Sequence, residues 1–388
     1  MLEQKMVFEE LRKQGVTFFT GVPDSYLNGF CNYALHHFPE RNIIAANEGN
    51  AVSIAAGHYL ASREIPLVYM QNSGMGNAVN PLVSLADEHV YSIPMLLMIG
   101  WRGQPGNGDW PQHELQGEIT PGLLELMHIP YTILEDDNEK IRDVIQKAAE
   151  HCKTKRRPYA FIAPKGVMAG EKTNNKDTVY PMSREEAMET ILDQMPENTI
   201  YSTTTGRATR ELFFLRERRK EEKNHDFLNV GSMGHASSVA LGIALECPNR
   251  NVVVFDGDAA AMMHMGAMTM AGKLCVPNLL HVVLNNGAHE SVGGQPSAGH
   301  VIDFTKIAEG CGYETVHRPV TNKEELVRAI QLLKGRGKAA FLDVRLHKGL
   351  DRKLPPLNFP HREAIDALTE ELNRAKEPQE RIAGNTST

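Results

Sequence analysis

The sequence predicts an α/β protein of two domains, each a mainly parallel sheet flanked by helices, and three observations carry that prediction. Short apolar runs alternate with helical patterns from end to end, the arrangement of parallel sheets with covering helices. A chain of 388 residues exceeds one ordinary core and suits two domains of roughly 150–200 residues. Polar residues dominate Ala169 to Thr178, the one interdomain linker the pattern offers.

In the first half, Ile43-Ile44-Ala45-Ala46, Leu67-Val68-Tyr69-Met70 and Met95-Leu96-Leu97-Met98-Ile99 read as buried strands, and Tyr159-Ala160-Phe161-Ile162-Ala163 as the last of them. The second half opens at Ser183, whose S-x-x-E spacing to Glu186 predicts a capping box. Its strands fall at Thr199–Ser202, Asn251–Phe255, Leu280–Leu284 and Ala340–Val344. The domains are therefore expected at residues 1–168 and 183–370, joined by a linker at 169–182 and followed by a polar tail at 371–388.

Composition narrows the function. With 41% hydrophobic and 23% charged residues the chain reads as soluble and globular. A formal net charge of −7 argues against a nucleic-acid partner, and an anionic substrate would need a local cluster of positive charge. No run approaches the roughly 20 apolar residues of a membrane span, and Met1-Leu2-Glu3-Gln4-Lys5 lacks the apolar core of a signal peptide. The five cysteines are scattered and form no CxxC pair, so reduced thiols in a cytoplasm are expected.

Phe255-Asp256-Gly257-Asp258-Ala259-Ala260 ends an apolar strand with an acidic residue among small ones. Small residues at a strand's carboxyl end let backbone N–H groups approach a phosphate, and an Asp beside them can hold Mg²⁺. The next apolar strand ends at Asn285-Asn286-Gly287-Ala288, which offers amide oxygens. Each piece alone is an ordinary turn sequence. Together, from Leu241-Gly242 through Pro248 to Asn286, with 28 residues from Asp258 to Asn286, they resemble the signature of the thiamine diphosphate enzymes.

That resemblance implies two domains of the thiamine diphosphate-binding fold, a pyrimidine domain first and a diphosphate domain second. It implies thiamine diphosphate and Mg²⁺ as cofactors, with Asp258, the side chain of Asn286 and the backbone carbonyl of Ala288 as metal ligands. Gly257, Ala259 and Ala260 would line the diphosphate; Ala259 stands where many members have Gly. Met233, 25 residues before Asp258, would be the bulky residue wedged under the bent cofactor, with the carbonyl of Gly231 toward its 4′-amino group. Glu48 follows a strand and opens a helix of small residues; an isolated Glu there complements the helix dipole. In this context it resembles the activating glutamate that leads to the thiamine ylid, and Asn72-Ser73-Gly74-Met75-Gly76-Asn77 resembles the glycine turn that cradles the pyrimidine, with Ser73 and Gly74 toward the cofactor.

The two-domain layout, pyrimidine domain first and no middle domain, resembles the phosphonopyruvate decarboxylases over about residues 5–360. Thr20–Ser25, Gly100–Gly103, Pro111–His113 and Asn286–Gln295 carry the likeness and are expected in loops after strands. Arg102, His113 and His289 are the candidates for holding a doubly anionic substrate, and Asp24, Ser25 and the same histidines for moving its protons. Where pyruvate decarboxylases place a Glu, six residues past the second Asn, this chain has Val292. The family forms each site from two subunits, so a dimer or a dimer of dimers is implied. A sulfopyruvate decarboxylase is the nearest alternative. A nicotinamide-dependent dehydrogenase lacks its G-x-G-x-x-G after the first strand, and a binding module needs no Glu48 and Asp258 together.

Overall fold

A computed structural model describes residues 1–170, 179–335, 337–350 and 352–374. In chain order the first elements are α1 (Gln4–Lys13), β1 (Phe19–Gly21), α2 (Asn28–His37), β2 (Asn42–Ile44), α3 (Glu48–Ser62), β3 (Leu67–Gln71), α4 (Met75–Pro81), β4 (Leu96–Gly100), α5 (Pro111–Leu126), β5 (Tyr131–Ile133), α6 (Lys140–Lys155) and β6 (Tyr159–Ala163). After them come α7 (Arg184–Gln194), β7 (Ile200–Thr203), α8 (Arg207–Arg219), β8 (Asp226–Phe227), α9 (Ala236–Glu246), β9 (Val252–Gly257), α10 (Asp258–Met263), α11 (Met268–Leu274) and β10 (Leu279–Asn285). The chain ends with β11 (Ala288–His289), β12 (Gln295–Pro296), α12 (Phe304–Cys311), β13 (Glu314–Thr315), α13 (Lys323–Leu333), β14 (Ala340–Arg345) and α14 (His361–Arg374).

The chain divides into two compact units, Met1–Lys176 with Gly287–Ala298, and Asp177–Asn286 with Gly299–Thr388. The first holds a six-stranded sheet in the order β2-β1-β3-β4-β6-β5, every pairing parallel. The second holds one in the order β13-β14-β10-β9-β7-β8, again parallel throughout. Counted from its own first strand, each sheet has the same order, 2-1-3-4-6-5.

Both faces of each sheet are covered, which is why the strands read as continuous apolar runs. Alternate residues of β4 feed separate cores, Leu96 and Met98 in one, Leu97 and Ile99 in the other. β9 does the same with Val253 and Phe255 against Val252 and Val254. The capping box at Ser183 is present: its side chain accepts from Glu186 N while Glu186 reaches back to the backbone of Ser183.

All eight sequence-predicted strands form. The three-residue β1 and β5 and the two-residue β8 and β13 are too short for their pattern to register. All four of the expected loops include regular structure: Gly100 ends β4, and Asn286–Gln295 holds β11 and the first residue of β12. Thr20 and Gly21 belong to β1, and Pro111–His113 opens α5, with Pro111 at the first helical position, where its missing N–H costs nothing. Most of the expected linker, residues 171–178, and of the expected tail, residues 375–388, lies outside the described residues, and α14 continues to Arg374.

Candidate functional site

In a sheet of this order, ligands bind beyond the strands' carboxyl ends, near the point where the chain's direction of winding reverses. In the first unit that point lies between β1 and β3. Asp24 and Ser25 follow β1, Glu48 follows β2, Asn72-Ser73-Gly74 follow β3 and Arg102 follows β4, so the sequence-predicted residues gather at one end of one sheet.

Glu48 is the first residue of α3, behind Asn47, whose side chain caps the helix by accepting from Asn50 N. Its carboxylate is buried at 4% exposure. Oε2 accepts from Asn77 Nδ2 at 2.7 Å, while Oε1 lies over Gly74, where a Cβ would stand 2.1 Å away. Gly74 is thus required by close approach. Burial raises the pKa of Glu48 against the opposing hydrogen bond from Asn77.

Asp24 is fully buried. Its Oδ2 accepts from the backbone N–H groups of Tyr26 and Leu27, and Oδ1 has no partner. Burial pushes its carboxyl up to about 6, against the pull of Arg102. Arg102 Nη1 donates to Ser25 Oγ at 3.2 Å, which brings two predicted residues together. Its remaining engagement was not legible in the sequence: Nε and Nη2 donate to the two oxygens of Asp109 at 2.7 and 2.6 Å, and the guanidinium stands 4.8 Å over the ring of Tyr26. Burial opposes the charge of Asp109, but Arg102 and the N–H groups of Trp110 and Gly103 outweigh it and hold the carboxyl well below its usual range.

His113, on the first turn of α5, has a buried Nδ1 with no partner, and burial with Arg102 nearby lowers its pKa to about 4. His289 lies on β11, which pairs with β12 in a hairpin belonging to the first unit, and burial lowers it to about 4 as well. Both imidazoles are therefore neutral near pH 7. The cluster of positive charge expected from Arg102, His113 and His289 is in fact one paired arginine and two neutral rings. The hairpin is tied to α2 by an amide ladder: Gln295 Nε2 donates to Asn32 Oδ1 at 2.9 Å, and Asn32 Nδ2 donates to Asn28 Oδ1 at 2.5 Å.

In the second unit, Asp258 opens α10 directly after β9 and is 2% exposed. The Cα of Gly299 packs so closely that a Cβ would stand 2.4 Å from Asp258 Oδ2 and 2.6 Å from Asn285 Oδ1. Asn285 Nδ2 donates to Gly299 O and Asp343 Oδ1, fixing the end of β10 just before Asn286, itself 3% exposed. Behind Gly257, Asp256 Oδ1 accepts from Gly257 N, and its Oδ2 meets His281 Nε2 at 3.2 Å, both side chains buried. Ala259 and Ala260 continue α10 and are buried. Met233 is only half-buried, on a turn between Ser232 (φ 47°) and Gly234 (φ 86°), so it does not fill a core gap; Gly231 N donates to Asn229 Oδ1. No group of three His, Cys, Asp or Glu among the described residues could hold a metal, so a cation here would rely on amide and carbonyl oxygens beside Asp258.

Two family models match, the N-terminal TPP binding domain of thiamine pyrophosphate enzymes over residues 3–123 and the C-terminal TPP binding domain over residues 204–344. A phosphonopyruvate decarboxylase of Streptomyces viridochromogenes is 35% identical over 320 residues, 78% of this chain and 78% of its own. Another, of Streptomyces hygroscopicus, is 35% identical over 321 residues, 78% of this chain and 77% of its own. The chain belongs to the thiamine pyrophosphate enzymes. A sulfopyruvate decarboxylase of Methanosarcina acetivorans is 29% identical over 400 residues, 96% of this chain and 98% of its own. Thiamine diphosphate is accordingly the cofactor, and the branch is that of the carboxy-lyases. Among the described residues no helix is long and apolar enough to cross a membrane.

The raised pKa of Asp24 has a testable sign. A carboxyl that binds its proton more tightly folded than unfolded loses stability as pH rises from 3.8 to about 6. His113, shifted down from 6.5 to about 4, acts oppositely, and its contribution disappears as pH falls through that window. Asp24→Asn should therefore gain stability relative to the parent by about 2 kcal/mol between pH 4 and pH 7.5. Urea unfolding at the two pH values measures this; a flat difference would mean that Asp24 ionises normally.

Proposed function

We propose that the protein is a thiamine diphosphate- and Mg²⁺-dependent decarboxylase converting phosphonopyruvate to phosphonoacetaldehyde and CO₂. The observation that carries this reading is the Arg102 fork, held at the same end of the sheet as the buried Glu48. The Streptomyces relatives, phosphonopyruvate decarboxylases themselves, support it. So does the chemistry of a tetrahedral anionic tail, which a planar guanidinium meets with two N–H groups at once.

The residues present fit the cofactor. Glu48, buried and with its pKa raised, would hold and return the proton at N1′ of the aminopyrimidine. Ser73 and Gly74 would cradle that ring, Met233 on its turn would brace it from below, and the carbonyl of Gly231 would accept from its amino group. Asp258, Asn286 and the carbonyl of Ala288 would hold Mg²⁺, and the backbone at Ala259 and Ala260 would face the diphosphate, with Gly257 allowing its close approach. Thiamine diphosphate, when bound, supplies a carbon nucleophile and a sink for the electrons of the breaking C–C bond. Arg102 and Ser25 would orient the substrate's tail. His113 and His289, as neutral rings, would donate hydrogen bonds to it. Asp24, protonated over part of the neutral range, would give up the proton that replaces CO₂.

A second reading, sulfopyruvate as substrate, is favoured by the near full-length match to the Methanosarcina enzyme. We also infer self-association as a dimer or a dimer of dimers. Leu115, Ile119 and Leu126 form an exposed apolar stripe on α5, which supports it. Sedimentation should show more than a monomer, shifted toward monomer by Ile119→Lys. A reducing cytoplasm suits the five unpaired cysteines.

Two substitutions separate the proposed cofactor roles. Glu48→Gln should abolish most turnover yet bind thiamine diphosphate nearly as tightly as the parent, because the amide keeps the shape but cannot exchange the proton. Asp258→Ala should instead lose Mg²⁺ and diphosphate affinity together, as calorimetry reads directly. Near-normal turnover of the first or unchanged binding by the second would remove the assignment.

The substrate is tested by following CO₂ release from phosphonopyruvate, sulfopyruvate and pyruvate with the parent and Arg102→Lys. The parent should prefer phosphonopyruvate. Lysine keeps the charge but not the fork, so its loss on phosphonopyruvate should exceed that on pyruvate by about ten- to a hundredfold in kcat/KM. Equal losses would assign Arg102 to the common carboxylate or to the fold.

A further inference from the structure

Asp109 has no part in the reading above, yet it is the most heavily used acceptor near Arg102. Its side chain is 6% exposed. Oδ2 accepts from Arg102 Nε (2.7 Å), Gly103 N (2.9 Å) and the hydroxyl of Tyr26 (3.2 Å), and Oδ1 from Arg102 Nη2 (2.6 Å) and Trp110 N (2.8 Å). The backbone of Arg102 is held independently. Asn72, 1% exposed, accepts from Arg102 N at 3.1 Å and donates to Arg102 O at 2.8 Å. Arg102 is thus clamped at its backbone by one residue and along one edge of its side chain by another.

The consequence lies in the edge that remains. A guanidinium has one N–H at Nε and two at each terminal nitrogen. Asp109 takes Nε and one of Nη2, and Ser25 takes one of Nη1. These three bonds leave one N–H on each terminal nitrogen, away from the Nε edge that Asp109 holds. We propose that Asp109 is the specificity-determining residue of this site: it fixes Arg102 by the inner edge so that the terminal edge can receive a tetrahedral anion bidentately. The proposal rests on the substrate reading above, in which Arg102 meets the anionic tail.

Asp109 also brings a negative charge, which opposes an anionic tail. The guanidinium stands between the two, so the tail meets the positive end of a neutral pair rather than a bare carboxylate. A freed Arg102 would carry more net charge toward the site, but its long side chain would sample many rotamers and greet any anion alike. Orientation, not charge, is what the pair contributes.

The test compares the holoenzyme with Asp109→Asn and Asp109→Glu, reading the ratio of kcat/KM on phosphonopyruvate to that on pyruvate. Asparagine nearly keeps the shape, but its NH₂ turns hydrogens toward groups that are themselves donors. The ratio should fall by about tenfold or more, chiefly through KM for phosphonopyruvate. Glutamate keeps the charge and displaces it by one methylene, so its ratio should fall between parent and Asn variant; it also serves if the Asn variant fails to fold. A ratio that is unchanged or rises, in a parent that prefers phosphonopyruvate, overturns the proposal and leaves the substrate reading standing. Equal losses on both substrates, in kcat and KM together, overturn it in favour of a loop-folding role. A parent with no preference removes the substrate reading first and this proposal with it.

Discussion

Both faces of each six-stranded sheet are buried under helices, and a parallel sheet covered on both sides has room for polar chemistry only where its strands end. Everything else about the molecule follows from that constraint. Residues within β4 and β9 are sorted by alternation into separate cores and cannot reach a ligand. Asp24, Glu48, Asn72, Arg102 and Asp258 can, because each stands at or just past a strand's carboxyl end. The cost of placing them there is partial burial of charge, and the protein meets it differently at each. Asp258 and Asn285 are packed by a glycine, Asp109 is saturated with donors, and Asp24 has its pKa raised to about 6.

The same constraint explains what was legible beforehand. A strand buried on both faces is a continuous apolar run, so β3, β4, β6, β9, β10 and β14 announce themselves. Asp258 and Asn286 stand at the ends of two such runs, and motif spacing completes the reading. β1 lies inside its sheet but ends in Thr20 and Gly21 and so offers no apolar run, whereas the equally short β2 shares the run Ile43-Ile44-Ala45-Ala46. Asp109, and the hold of Asn72 on the backbone of Arg102, were illegible for another reason. Their importance lies in where a glycine-rich loop, Gly103 to Gly108, folds back, and no local pattern encodes which donors an aspartate will meet there. His113 was expected in a loop, since Pro111 looks like punctuation; it is also a good first helical residue, and that won.

Electrostatics shows the sharpest difference between composition and structure. For a chain of net charge −7, the anionic substrate proposed above invites the idea of a cationic pocket. The imidazoles of His113 and His289 are desolvated enough to stay neutral, and the one arginine is matched by a carboxylate. Recognition in such a site works by the direction of N–H groups more than by field strength. Directional donors tell a tetrahedral tail from a planar one or none, whereas a field draws in every anion.

The repeated strand order gives a last step. Both sheets run 2-1-3-4-6-5, so the loop after the third strand occupies the same topological place in each. In the first unit it is Asn72-Ser73-Gly74, a glycine turn pressed against the Glu48 carboxylate and anchoring Arg102 through Asn72. In the second it is Gly257-Asp258, which ends β9 and opens α10 with a buried carboxylate, while the backbone of Gly257 is held by Asp256, itself paired with His281. One topology therefore offers the same crevice twice, and the side chains at the strand ends differ: a buried Glu48 pressed on a glycine turn in one, a buried Asp258 beside amide oxygens in the other. Chemistry here is assigned by strand-end residues, and the sheets themselves are indifferent to it.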